Sequence, residues 1–215
     1  MRIILISILF IPLALFSQDY YQDFGLWTKS NFNFKLSKDL TLSSKTELRT
    51  NENTNEINQF YTQLSLKKKF NKHISNSIAY RVKSVNKEFG YITENRFHHD
   101  FTYKTKLKDL SFYSRFRTQY NIIPNGFNEF YERLRFKIKL KLNKKINIYC
   151  YDEFYFMLFH LQNDLIHNKN RMGTGIEFKL NKKLDLELKY LRIKEINTEN
   201  PRIMNILGSV ISFNF

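Results

Sequence analysis

The chain of 215 residues contains a single cysteine, Cys150, so no intramolecular disulfide can staple it. Proline occurs three times and glycine six times, too seldom for a soluble sandwich of many short strands joined by Gly- and Pro-rich turns. Downstream of Gln18 no apolar run comes near the ~20 residues of a membrane-spanning helix, which excludes helical spans in the mature chain. Metal-ligand spacing is missing too. His98 and His99 are neighbours and point to opposite faces of a strand, while His160 and His167 lack a ligand-spaced carboxylate pair. No metal site and no cofactor are expected.

What is present begins at the N-terminus. Arg2 precedes an unbroken apolar run from Ile3 to about Phe16, and Ser17 and Gln18 open a polar stretch. A basic start, an apolar middle and a small residue at the cut are the layout of a secretory signal peptide. The expected division is a leader over 1–17 and one mature domain over 18–215, with no cysteine at the cut to carry a lipid anchor. Lys and Arg number 35 against 20 Asp and Glu, a formal charge of +15. Such a basic chain with interleaved aromatics raises nucleic-acid binding. Export argues against it, and so does the spread of the charge, which follows strand periodicity instead of forming one block. Aromatics make up 16% of the residues, yet the mean hydropathy is only −0.47. That combination suits a thin apolar skin around a polar interior.

Alternation with a period of two runs through the mature chain. In 24–36 Phe24, Leu26, Phe32, Phe34 and Leu36 share one face, opposed by Trp27, Lys29, Asn31 and Asn33. In 133–142 Leu134, Phe136, Ile138 and Leu140 oppose Arg133, Arg135, Lys137 and Lys139. Short basic turns are predicted at 36–40, 68–74, 106–110, 142–146 and 180–184, the last two reading LNKKI and LNKKL. Longer loops are predicted at 51–56, 86–90, 121–129, 160–170 and 195–202. Tight and long ends therefore alternate, as in a meander with all tight turns on one side. The strands are long for soluble sheets, whose strands run about five or six residues. In lipid an open sheet edge would strand backbone groups, so the strands must close. The expected fold is an all-β, antiparallel up-and-down transmembrane β-barrel, with a soluble lipocalin-like barrel or sandwich as the alternative. Eleven segments are visible, but bacterial single-chain barrels are usually even-numbered, and about twelve strands (10–12) are expected. Asp152 falls on the apolar face of Ile148 and Cys150, which predicts a register-resetting bulge in 146–170.

The segments GLWTKSNFNFKLSKDLTL, ENRFHHDFTYKTKL, FYSRFRTQY and YERLRFKIKL, with the aromatic terminus SFNF, carry a resemblance. Over essentially the whole mature chain the sequence resembles an uncharacterised family of Gram-negative outer-membrane barrels, domain-of-unknown-function family 2490. The resemblance implies a small barrel in the outer membrane of a Gram-negative bacterium and implies no reaction. The last strand, with Phe213 and Phe215 on its apolar face, resembles the sorting signal read by the barrel-assembly machinery, which captures strand edges by β-addition. An ordinary closing strand anchored by Phe215 at the membrane interface fits the same residues.

On the inward faces, arginines recur on consecutive strands: Arg96 with His98, Arg115 with Arg117, Arg133 with Arg135, preceded by Arg81 and Lys83. Hairpin register through the turn near 108 predicts similar heights for the first two pairs. Glu47, Glu94, Asp100 and Glu153 are inward acidic partners, and Glu177 and Glu187 follow; Tyr149, Tyr151 and Tyr155 lie on the strand after the arginines. This basic wall reads either as a lumen filled by paired charges or as a narrow porin-like path for small anionic or sugar solutes. A lipid hydrolase is the enzymatic alternative. Outward His99 and Ser114 are its candidate residues, without the spacing of an outer-membrane phospholipase. The expectation is a non-enzymatic, monomeric barrel whose partners are outer-membrane lipid and the assembly machinery.

Overall fold

A computed structural model describes residues 21–87, 90–124, 126–159, 164–198 and 200–215. The predicted leader lies outside the described residues, as do the first residues of the predicted mature domain. The described chain is all strand and turn. Its elements are β1 (Tyr21–Lys35), β2 (Leu40–Asn51), β3 (Glu56–Lys69), β4 (Ile74–Lys87), β5 (Gly90–Leu107) and β6 (Leu110–Ile122). They continue with β7 (Glu129–Lys141), β8 (Ile146–Phe159), β9 (Asp164–Lys179), β10 (Leu184–Glu195) and β11 (Arg202–Asn214).

Each strand pairs antiparallel with its sequence neighbour, and β1 pairs with β11 to close a barrel. The expected count of about twelve is corrected to eleven. An odd meander leaves its first and last strands pointing the same way, so closure has to be parallel, and β1 and β11 run in parallel register from Tyr21 opposite Arg202 to Asn33 opposite Asn214. Parallel register stacks like on like. Phe32 lies on Phe213 and Phe34 on Phe215, both with ring centroids 5.1 Å apart. On the inner face Asn31 Nδ2 donates to Ser212 Oγ at 3.0 Å, and Asn33 Nδ2 to Asn214 Oδ1 at 3.0 Å. This ladder supplies the edge pairing for which a further strand was expected.

The two faces divide as the alternation predicts. Leu26, Phe60, Ile78, Phe97, Phe116, Phe136, Met172, Leu188 and Leu207 are exposed on the outside, each on a different strand. Inside, charged and amide side chains are buried, and a compact apolar cluster of Trp27, Leu191, Ile193 and Ile206 fills the β1–β10–β11 side. Gly173 and Gly175 leave the room that the Tyr151 and Tyr149 rings occupy; a Cβ on Gly175 would lie 2.6 Å from the Tyr149 hydroxyl.

Three of the predicted boundaries move. The region 160–170 is not all loop, because β9 begins at Asp164. Asp152 does not mark a bulge: it stays on the outer face of an uninterrupted β8, accepting a hydrogen bond from Asn170 Nδ2 at 2.7 Å. The register shift lies on the facing strand, where Tyr155 is opposite Lys169 and Phe156 opposite His167, leaving Asn168 as the extra residue. Finally, the far-rim connection at 52–55 is as short as the tight turns, while residues 88–89 of the predicted loop 86–90 lie outside the described residues. In the 52–55 connection, Glu52, Asn53 and Thr54 all have positive φ. The Asp23 carboxylate holds this turn by accepting from the Glu52 and Asn53 amides at 3.2 and 2.9 Å.

Three of the tight turns share one construction. Asn143 Oδ1 accepts from the amides of Lys145 and Ile146, both at 2.8 Å, and Asn181 Oδ1 accepts from Lys183 and Leu184 at 2.8 and 2.9 Å. Asn71 does the same for His73 and Ile74 at 2.8 Å. An Asx side chain that substitutes for a backbone acceptor sets the turn without glycine, which explains how the barrel is built with so few.

Candidate functional site

The lumen is the site, because strand alternation sends the chain's buried charge there. Arg81, Lys83, His98, Arg117 and Arg133 are buried, and Arg96, Arg115 and Arg135 are partly so. Glu47, Glu94, Asp100 and Glu153 are buried on the same inner face. The structure groups them around carboxylates.

Glu153 on β8 is wholly buried, with 0% exposure. Arg133 Nη2 donates to it at 2.8 Å and Arg135 Nη2 at 2.9 Å, Arg115 pairs with it from two strands away, and Arg171 stands at 3.8 Å. Register explains the convergence. Arg135 and Arg171 sit directly opposite Glu153 on its two flanking strands. Arg133 also donates to the Tyr155 hydroxyl at 2.6 Å with its guanidinium 4.0 Å from that ring. Next to this group Arg117 grips Asp100 in a two-point fork at 2.5 and 2.7 Å. Fork-to-carboxylate pairing fixes orientation as well as charge.

A second centre forms at Glu47 on β2. Lys29 reaches it at 2.7 Å, Arg49 Nε at 2.5 Å, and the Tyr61 hydroxyl donates at 2.9 Å. Arg49 lies 3.7 Å over the Trp27 ring, and Arg81 lies 3.6 Å over Tyr61 while donating to Gln63 Oε1. Lys83 pairs with Glu94. Toward the tight-turn rim, Lys137 and Lys139 pair with Glu177, and the Tyr149 hydroxyl donates to Glu187 at 2.8 Å. A cavity of about 250 Å³ opens there, between Lys139, Asn147, Glu177, Glu187 and Ser212.

Two details depart from the sequence reading. The Arg96–His98 pair is not level with Arg115–Arg117. Arg96 faces Asn121, to which it donates at 2.7 Å, and His98 faces Gln119, whereas Arg117 faces Asp100. The cause is the length of β5, which carries its arginine higher than β6 carries its own. Arg171, Arg49, Lys29, Tyr61 and Trp27 belong to the network but were not singled out as lumen residues. Arg171 has the parity of the inward Glu177, six residues on in β9, so period two carried the signal that would have found it.

The structure does not bring the hydrolase candidates together. Ser114 pairs with Tyr103, and His99 lies four residues along that strand, about 13 Å away at strand rise. Among the described residues no three His, Cys, Asp or Glu side chains are placed to hold a metal ion.

A family model described as "Protein of unknown function (DUF2490)" matches residues 24–204. No curated protein matches the chain. Among solved structures, the translocator domain of the autotransporter NalP from Neisseria meningitidis is similar, with 9% identity, coverage of 78% of this chain and 71% of that one, and a TM-score of 0.41.

Proposed function

The chain belongs to the DUF2490 family, and from its two faces we propose that it is a non-enzymatic outer-membrane barrel whose lumen is held shut by ion pairs. The outer face supports the membrane part of this reading. Large apolar side chains stand exposed on nearly every strand, the arrangement that hydrocarbon favours and water does not. The shortest strands have 12 residues, more than the ~9–11 that a tilted strand needs to span a bilayer.

The observation that carries the closed lumen is Glu153, an unexposed carboxylate ringed by four arginines from β6, β7 and β9. A buried charge is tolerable only when paired, and this pairing packs side chains of four neighbouring strands into the space that a solute would use. Planar-bilayer recording with the purified protein tests the reading. Wild type is expected to give no steady conductance steps. Regular anion-selective steps from wild type would replace the closed barrel with a narrow anion path.

That second reading has its own observation. Arg81 faces Arg96, Arg115 faces Arg135 and Arg117 faces Arg133 directly across strands, so guanidinium outnumbers carboxylate on this wall. Any path opened along it would admit anions first. We read the protein as a monomer delivered by the barrel-assembly machinery through its Phe213–Phe215 strand. The non-enzymatic reading fails if the protein releases fatty acid from phospholipid and Ser114→Ala abolishes the release.

A further inference from the structure

The two connections LNKKI (142–146) and LNKKL (180–184) lie side by side at the tight-turn rim, joined by the Lys179 amide donating to the Lys145 carbonyl at 2.8 Å. A groove of about 470 Å³ runs between them, lined by Lys144, Lys145, Lys179, Lys182, Leu180 and Asp185. The turns themselves do not require these lysines, since Asn143 and Asn181 set the backbone and the positions after them contribute amides, not side chains.

Each tight turn also carries an apolar residue at its leading edge. Leu36, Phe70, Leu107, Leu142 and Leu180, with Phe215 beside them, are 54–65% exposed. Grease and ammonium groups thus alternate around one rim. The opposite rim mixes signs, with Glu52, Glu56 and Glu195 beside Lys87 and Arg202. An amphipathic ring of this kind matches the boundary of a bilayer, where acyl chains meet phosphate.

We propose that the groove between 142–146 and 180–184 is a binding site for an anionic glycerophospholipid of the adjacent leaflet, its phosphate held by Lys144, Lys145 and Lys182 and its acyl chains lying along Leu142 and Leu180. The inference rests on the membrane reading. Asp185 does not neutralise the groove, because four lysines line it beside that single carboxylate. Basic pockets at a membrane edge select anionic headgroups by charge and position, each lysine adding to the attraction.

The test uses the full barrel reconstituted in vesicles, with spin-labelled phosphatidylglycerol and phosphatidylcholine as probes. Wild type is expected to immobilise phosphatidylglycerol about threefold or more over phosphatidylcholine. Lys144→Gln/Lys145→Gln/Lys182→Gln is expected to lose that preference, and Lys87→Gln on the opposite rim to keep it. These side chains are exposed, and retained β-sheet circular dichroism shows that the variant is folded; a single Lys145→Gln, expected to weaken the preference, serves as a milder check. Equal immobilisation of both lipids by wild type overturns the site, as does a preference untouched by the triple change. Displacement by inorganic phosphate at equal concentration would mark a free-anion site and overturn the lipid assignment. Flotation with purely neutral vesicles is the separate control: a protein that does not float has failed the membrane reading itself, and the lipid site with it.

Discussion

At the scale of single residues, Glu153 concentrates the energetics. Four guanidiniums converge on one buried carboxylate, so removing its charge leaves a cluster of largely buried cations short of its main counter-charge. Glu153→Gln, nearly the same in shape, is expected to destabilise the barrel by about 3–5 kcal/mol, the range for breaking a buried pair from one side. Urea unfolding in detergent, followed by tryptophan fluorescence from Trp27, measures it. Arg202 is the contrast. Its side chain is 46% exposed while it pairs with Glu195, and Arg202→Gln is expected to cost no more than about 1 kcal/mol in the same assay. The acidic partners were legible as inward-facing residues from alternation alone. That Glu153 collects four arginines, while Glu94 pairs only with lysines, was not, because strand period says nothing of height around a closed ring.

At the scale of elements, β9 shows how a glycine pair shapes the lumen. Gly173 and Gly175 face Tyr151 and Tyr149 across β8, and the ring of Tyr149 takes the place a side chain would need. Gly175→Ala would set a Cβ 2.6 Å from the Tyr149 hydroxyl and 2.8 Å from the Leu188 carbonyl. It is expected to cost about 1–3 kcal/mol by overpacking. Retention of wild-type unfolding midpoints would show that the tyrosine simply swings aside. The β1–β11 pair offers a second measurement. A double-mutant cycle on Phe32→Ala and Phe213→Ala, whose rings stack at 5.1 Å, is expected to yield a coupling of about 0.5–1.5 kcal/mol.

For the whole molecule, the odd strand number is the feature with most consequence. Closure joins residues 181 apart, as in Asn31 with Ser212, so the seam depends on contacts that form late and cost the most chain entropy. Parallel register makes a sharp prediction. In a Cys150→Ser background, Thr28→Cys with Ser209→Cys is expected to crosslink under mild oxidation and shift on a non-reducing gel, because these two are direct partners. Thr28→Cys with Phe213→Cys, four residues out of register, is not. A barrel closed through a twelfth strand would crosslink neither pair. The exposed apolar belt leads to a further expectation: the chain from residue 18 onward refolds only when detergent or lipid is supplied. A compact, water-soluble monomer formed without either would remove the membrane reading.

Composition and period-two alternation determined that this protein is a strand meander with grease on one face and charge on the other, since side-chain direction in a strand is a local property of the backbone. Four of the five tight-turn sites were equally local, set by Ser37, Asn71, Asn143 and Asn181 beside the lysines. Closure was not. Eleven segments were visible, yet only three-dimensional packing decides whether β1 meets β11 directly, and only the pairing of β8 with β9 sets Arg171 opposite Glu153. Which charges meet inside the lumen depends on strand stagger and curvature, properties of the ring as a whole that no stretch of sequence carries by itself.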